Sequence, residues 1–404
     1  MGKRALRVMV AVGARPNLMK AAPLILALQD PLERKTRNWP TIELKLIHTG
    51  QHYEDPLSKV LFEELSLPQA DVNLNVGSGS HGYQTGLILQ RFDPVLEDWW
   101  PDVLVVVGDV NSTLACALTA AKSYRLLPCG RWKRPRIAHI EAGLRSFDPT
   151  MPEEINRRLT DAISDDLFTH SPEAKANLLQ EGIREEAILE VGNLMIDTLN
   201  RLLPIARKSD IVRRLNLTGG DSPNRFRPFA LLTLHRPSNV DHPETFQRLL
   251  RAVAGISPDL DVIFPIHPRV RKRLPEILKS MDDDTALKPL RTIRAIEPLG
   301  YIDFVGLMEK ASMVLTDSGG VQEETTACGV PCLTLRENTE RPITVSMGTN
   351  ILVGTEAEEI IREGRRILAG EPKRGSVPPL WDGKAGIRAA ELLVQRTLDG
   401  RGGG

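Results

Sequence analysis

A doubly wound α/β fold divided into two domains is what this sequence predicts, and three observations predict it. Short β-branched runs recur along the chain, each followed by a small or polar turn and then a helical pattern. The runs are continuously apolar, as strands are when helices cover both faces of a parallel sheet. The 404 residues exceed what one ordinary core serves, so two domains of about 200 residues each are expected.

Taken in order, the strands of the first half are LRVMVAV (6–12), IELKLIH (42–48), VLVVV (103–107) and RIAHI (136–140). Those of the second half are FALLTL (229–234), VIFPI (262–266), MVLT (313–316) and PCLTL (331–335). A polar, turn-rich segment, NLTGGDSPNRFRP (216–228), precedes the new strand of the second half, which predicts a linker near residues 194–206. The basic stretches ERKTRNWP (33–40) and GRWKRPR (130–136) read as solvated loops.

Basic and acidic residues balance at 52 each, which argues against nucleic acid or an anionic membrane as partner. Any bound anion must therefore be gripped locally. Cys116, Cys129, Cys328 and Cys332 lack metal-type spacing and sit in apolar surroundings, as reduced packing thiols do. The apolar run 6–12 is too short for a signal-peptide core, and no stretch approaches the roughly 20 apolar residues of a membrane span. A soluble cytoplasmic protein is expected.

The residues just past the strand ends carry the chemistry. Arg15 comes after the first strand, Gln51 and His52 after the second, and Asp109 after the third; Glu141 ends the fourth. His235 with Arg236, His267, and Asp317 with Ser318 end strands of the second half. Ligands of open parallel sheets bind outside these carboxyl ends, so two such sheets facing each other would enclose a lined cleft.

In LTDSGGVQEETTACGVP (315–331), Ser318-Gly319-Gly320 would let the N–H groups of a helix N-terminus approach a phosphate. Taken alone, such a turn packs a helix on its strand about as readily. Glu324 is placed for a ribose diol, though Glu323 and Glu324 also read as first-turn carboxylates complementing the helix dipole. Arg341 is either within reach of the same pocket or in a surface ion pair. Arg15 and Lys20 lie in a strand–helix unit without G-x-G-x-x-G, so no dinucleotide is expected. With His235 they could clamp a diphosphate. Asp109, Glu141 and Glu153 would raise one another's pKa if they converged, becoming usable as acid or base near neutrality. Otherwise Asp109 reads as a helix cap and Glu153, behind Pro152, as a first-turn carboxylate.

In this order, GARPNLMKAAPL, HTGQHYE, GDVNSTLA, HIEAGLRS, MPEEINRRLTD, LHRPSNVD, PIHPR and TDSGGVQEE…GVPCLTLRENTERP closely resemble the non-hydrolysing UDP-N-acetylglucosamine 2-epimerases over roughly residues 6–390. The resemblance implies two Rossmann-like, doubly wound domains facing across a cleft (GT-B-like), with a C-terminal helix crossing back to the first. The implied domains are 1–196 with about 386–404, carrying the acids, and 197–385, binding UDP. The implied reaction interconverts UDP-GlcNAc and UDP-ManNAc by eliminating UDP to a 2-acetamidoglucal and adding it back, with no cofactor and no metal. Asp109, Glu141, Glu153 and His235 match the family's catalytic residues. Which acid removes the C2 proton is left open, Asp109 and Glu153 being preferred for proton transfer and Glu141 for positioning the sugar. Arg15, Lys20, His267, Ser318, Gly319, Gly320, Glu324 and Arg341 match substrate-binding positions. A homodimer is the family's common assembly. Gln51-His52-Tyr53-Glu54 and His235-Arg236-Pro237-Ser238 depart from the motifs of many bacterial members, which argues against allosteric activation by UDP-GlcNAc. Other readings are a 2-epimerase of a UDP-diacetamido uronic acid or a GT-B glycosyltransferase.

Overall fold

The computed structural model describes residues 4–50, 56–126, 130–219, 226–266, 270–271 and 292–402. Packing divides the chain into a first unit, Met1–Thr198 with Pro379–Gly404, and a second, Leu199–Pro378.

Among the described residues, the first unit is built on β1 (Leu6–Val12), β2 (Ile42–His48), β3 (Val72–Asn73), β4 (Val103–Val107), β5 (Arg136–Ile140), β6 (Asp166–Thr169) and β7 (Ile188–Glu190). All neighbours are parallel, in the order β3-β2-β1-β4-β5-β6-β7. Every residue of β4 is buried, which is why the strand is apolar throughout. Helices His81–Trp99 and Asn111–Lys122 set Phe92, Leu96, Cys116 and Ala120 against Met9 and Val106 of the sheet. Burial of one such side chain, Phe92, is worth about 1.5–3 kcal/mol.

The second unit repeats the plan with β8 (Phe229–Thr233), β9 (Asp261–Pro265), β10 (Ile293–Ile296), β11 (Met313–Thr316), β12 (Cys332–Thr334) and β13 (Asn350–Leu352). Its order is β10-β9-β8-β11-β12-β13, again parallel. Counted within each unit, both sheets contain the 3-2-1-4-5-6 order of the Rossmann fold.

Three expectations are corrected. Residues 194–206 form a helix, Leu194–Ala206, because Leu194, Ile196, Leu199, Leu202 and Ala206 are buried; the boundary between units falls inside it. Glu33–Thr36 belong to the short helix Pro31–Thr36, whose start is capped by the Asp30 carboxylate accepting from the Leu32 N–H at 2.8 Å. Trp132–Lys133 pair antiparallel with Arg125–Leu126. Cys116 and Cys332 are fully buried, and burial pushes the Cys328 and Cys332 thiols up to about 12, as expected of packing cysteines. Cys129 lies outside the described residues. Among the described residues no helix is long and apolar enough to cross a membrane.

The C-terminal helix Ala385–Gly402 packs on Arg15–Gln29 within the first unit. Trp381, just before it, donates its indole N–H to the His170 carbonyl at 3.0 Å. Asp197 accepts from the first N–H groups of the helix, Ala385 at 3.1 Å and Gly386 at 2.7 Å. Burial nevertheless pushes its carboxyl up to about 6, outweighing those two bonds. A carboxyl raised in the folded state holds its proton more tightly there, so its contribution to stability is full below 3.8 and lost as pH rises through about 6. The melting-temperature difference between wild type and Asp197→Asn is therefore expected to move against the wild type across that window and to stay constant above it, as thermal denaturation at stepped pH would read.

Candidate active site

In each unit the first strand pairs on its two sides with the second and the fourth, so its neighbouring connections leave in opposite directions. The functional side chains gather at these two switch points.

In the first unit, Arg15 opens helix Arg15–Gln29 directly behind β1 and is half-buried. Asn17 ties the turn together: its Oδ1 accepts from the Gly13 and Ala14 N–H groups at 3.2 and 3.0 Å, and its Nδ2 donates to the Val107 carbonyl of β4 at 2.7 Å. Lys20, one turn on, is buried and forms an ion pair with Glu141. Glu141 has φ +73°, a left-handed conformation that bulky residues avoid. Gly108, between β4 and Asp109, has φ +70°, and a Cβ there would lie 3.0 Å from Asn17 Nδ2 and 3.4 Å from Glu141 Oε2. Only glycine therefore fits here without strain, with the Asn17 and Glu141 side chains packed against it.

Asp109 does not cap the following helix, whose N-cap is Val110. Its Oδ2 instead accepts from Arg157 Nε and Nη2 at 2.9 and 2.7 Å, a charge-assisted pair. Helix Pro152–Ile163 begins at proline and carries Glu153 and Glu154 in its first turn. The two acids have different surroundings. Glu154 is buried, accepting from the Ser146 N–H at 2.9 Å, the Phe147 N–H at 3.2 Å and Arg157 at 2.7 Å, while Glu153 is half-buried. His139 braces the same corner, donating from Nε2 to the Gly108 carbonyl at 2.8 Å and meeting the Asp161 carboxylate at 2.7 Å through Nδ1. Arg145 is a buried structural cation paired with Asp161 and Glu181.

In the second unit, His235 and Arg236 follow β8, and Asp317 follows the neighbouring β11. Asp317 is fully buried and organises the other strand end: it accepts from the His235 N–H at 3.0 Å, the Arg236 N–H at 2.9 Å and Asn239 at 3.2 Å. His235 Nδ1 lies 2.9 Å from it. Burial opposes its ionisation, yet the charge and hydrogen bond of His235, with the backbone N–H groups, hold its carboxyl below the usual 3.8. Helix Gly319–Cys328 starts at the glycine turn with Ser318 as N-cap. Glu323 and Glu324 consequently fall in its second turn, which removes the dipole reading of both. Glu324 is buried and accepts from the Tyr301 hydroxyl at 2.8 Å, while Glu323 pairs with buried Arg341 at 3.2 Å. Glu340 gathers Arg236, Arg336 and Arg341 at 3.1, 2.9 and 3.3 Å. A Cβ on Gly319 would lie 2.6 Å from Glu340 Oε1 and 3.2 Å from Arg341 Cζ, so this cluster adjoins the glycine turn. The guanidinium groups of Arg236, Arg336 and Arg341 and the carboxylates of Glu323, Glu340 and Asp317 thus gather at the N-terminus of this helix, whose first N–H groups have no partner within the helix.

The first unit thus brings Lys20 and Glu141 into contact, with Glu141 against Gly108, the residue before Asp109, and with Glu153 one helical turn from Asp109's partner Arg157. The second unit brings His235, Ser318, Gly319, Gly320 and Arg341 around Asp317 and Glu340. His267, Gln51 and His52 lie outside the described residues. Arg157 goes unmentioned in the sequence reading, although its i,i+4 spacing behind Glu153 signals it; Asp317 is named there as a strand-end residue, and the structure adds that it is the buried acceptor organising that strand end.

Two Rossmann-like units of the GT-B-like class, each with charged groups at its switch point, define an enzyme scaffold. The family model described as UDP-N-acetylglucosamine 2-epimerase matches residues 34–394. A UDP-N-acetylglucosamine 2-epimerase of Methanocaldococcus jannaschii is 44% identical over 391 residues, 96% of this chain and 99% of that protein. The crystal structure of the Methanocaldococcus jannaschii UDP-GlcNAc 2-epimerase in complex with UDP-GlcNAc and UDP matches with a TM-score of 0.81 at 41% identity, covering 96% of this chain and 100% of that one. A UDP-2,3-diacetamido-2,3-dideoxy-D-glucuronate 2-epimerase of Pseudomonas aeruginosa is 35% identical, over 96% of this chain and 100% of that protein. The chain belongs to the UDP-N-acetylglucosamine 2-epimerase family and is an epimerase.

Two outcomes test the geometry of the second unit. A carboxyl depressed in the folded state contributes stability above its unfolded pKa of 3.8 and loses it as pH falls through the lower folded value. Asp317→Asn is expected to remove that portion of the acid-unfolding limb, read by circular dichroism below pH 4. Gly319→Ala must push Glu340 and Arg341 aside and is expected to cost about 1–3 kcal/mol in urea unfolding.

Proposed function

We propose that the protein interconverts UDP-N-acetylglucosamine and UDP-N-acetylmannosamine by elimination and re-addition of UDP. What supports the reading is the Glu141 carboxylate lying against Gly108, the residue directly before Asp109, together with 44% identity to the Methanocaldococcus jannaschii UDP-N-acetylglucosamine 2-epimerase. In the forward step a carboxylate takes the C2 proton and the C–H electron pair becomes the C1–C2 double bond. The C1–O bond breaks, and its electron pair leaves with UDP. In the reverse step a proton is delivered to the other face of C2 and UDP re-adds at C1. Asp109 and Glu153 are assigned to proton transfer. Glu141, fixed by Lys20, is assigned to positioning the sugar.

Arg15, His235, the Ser318-Gly319-Gly320 turn and the Arg341 cluster would neutralise the departing diphosphate; Asp317 holds His235 in a single orientation for that task. Glu324 is assigned to the ribose and His267 to the substrate pocket. The protein is read as a cytoplasmic homodimer with UDP-sugar as its partner. The GlcNAc substrate is favoured over the diacetamido uronic acid because identity to the Methanocaldococcus jannaschii protein, 44%, exceeds the 35% shared with the Pseudomonas aeruginosa protein.

Proton NMR of UDP-GlcNAc with the protein in D2O is expected to show a ManNAc-configured product with deuterium at C2. Neither product nor deuterium, or conversion of the diacetamido uronic acid alone, would overturn the assignment. In the same assay Asp109→Asn and Glu153→Gln are expected to lower kcat by about 10²- to 10⁴-fold, the usual contribution of a positioned acid or base.

A further inference from the structure

Asn193 carries a hydrogen-bonding group that its local structural role leaves unused. It stands behind β7 at the start of helix Leu194–Ala206, where its carbonyl accepts from the Ile196 N–H at 3.1 Å and its Oδ1 from the Met195 N–H at 2.9 Å. The second bond sets which way the amide faces, because a flipped amide would oppose its NH2 to an N–H. Capping explains the oxygen alone; Ser or Asp would supply it equally well.

The amide nitrogen is what distinguishes asparagine here. Asn193 is 2% exposed, and its Nδ2 has no partner among the described residues. Buried donors are almost always satisfied, so each exception needs an explanation. This one lines a cavity of the first unit together with Lys20, Ile140, Glu141, Phe168, His170 and Leu194. The cavity has room for about one water-sized group. Its polar lining offers an entering oxygen the unpartnered Asn193 amide and the Glu141 carboxylate, beside Lys20 and His170. A hydroxyl satisfies both, accepting from the amide and donating to the carboxylate. A carbonyl has no proton for Glu141.

We infer that Asn193 binds a hydroxyl group of the substrate's pyranose ring, held between its amide and Glu141, and so contributes to sugar specificity. The inference rests on the UDP-sugar reading of this site. Asn193→Asp separates the two roles of the residue, since it keeps the capping oxygen and replaces the donor with an acceptor. The variant is expected to melt with the wild type and to bind UDP alone with wild-type affinity in calorimetry. It is also expected to lose about 10- to 100-fold in affinity and in kcat/KM for UDP-GlcNAc. Of the 3-, 4- and 6-deoxy analogues of UDP-GlcNAc, one is expected to bind the wild type weakly and to show no further loss with the variant.

Asn193→Ser, which caps without an amide, repeats the comparison should the aspartate variant melt early. Unchanged UDP-GlcNAc affinity in the folded variant, an equal loss of affinity for UDP alone, or additivity with all three deoxy analogues would each overturn the inference. The calorimetric arms need no turnover. A wild type that binds UDP-GlcNAc without epimerising it would therefore refute the proposed reaction while still reporting on Asn193.

Discussion

The constraint on which the rest depends is the reversal of direction at the centre of a parallel sheet. Hydrogen bonding between parallel strands forces every connection to cross back over a face, and at the switch point two neighbouring connections cross over opposite faces. The ends of β1 and β4, and of β8 and β11, are therefore left uncovered by either helix layer. Polar side chains placed there remain accessible, although the strands leading to them are among the most deeply buried in the protein. Arg15, Asp109 and His235 occupy such positions and are partly exposed, whereas Asp317, at the end of β11, is fully buried.

Accessibility alone would leave these charges in floppy, solvated arrangements. The structure answers this by pairing three of the site's side chains with buried or half-buried groups: Glu141 with Lys20, Asp109 with Arg157 and His235 with Asp317. Ion pairs of this kind add little net stability, because desolvation offsets most of their attraction, but removing one partner strands the other in a poor solvent. Their effect is to set direction. Arg157 holds Asp109 through two nitrogens, and Asp317 fixes the ring of His235 through Nδ1 while also bonding to two backbone N–H groups. Backbone strain works to the same end. Glu141 sits in a left-handed conformation that its neighbours must enforce, and Gly108 makes room for it.

Local chemistry and global fold meet again at the chain's two far ends in sequence. Helix Ala385–Gly402 lies on the helix that carries Arg15 and Lys20, and Asp197 caps it from the end of the first unit's main segment. The helix that carries Arg15 and Lys20 is thus also the one on which the C-terminal helix packs.

Sequence by itself determined the alternation of apolar strand and helix, the parallel class of both sheets, and the polar residue types at each strand end. These are local patterns, set by burial on two faces and by the turn chemistry of glycine and proline. The strands that went unread, among them Val72–Asn73, Asp166–Thr169, Ile188–Glu190, Ile293–Ile296 and Asn350–Leu352, have only two to four residues and lie at sheet edges or next to them; their pairing owes more to a neighbouring strand than to their own composition. Tertiary structure alone decided which of two adjacent glutamates, Glu153 or Glu154, was consumed by buried hydrogen bonds. It likewise decided that Asp109 meets Arg157 instead of capping a helix, and that Asn193 turns a donor into a cavity. Each of these is a contact between segments far apart in the chain or a matter of which face of a helix is covered, and neither is encoded by the residues on either side.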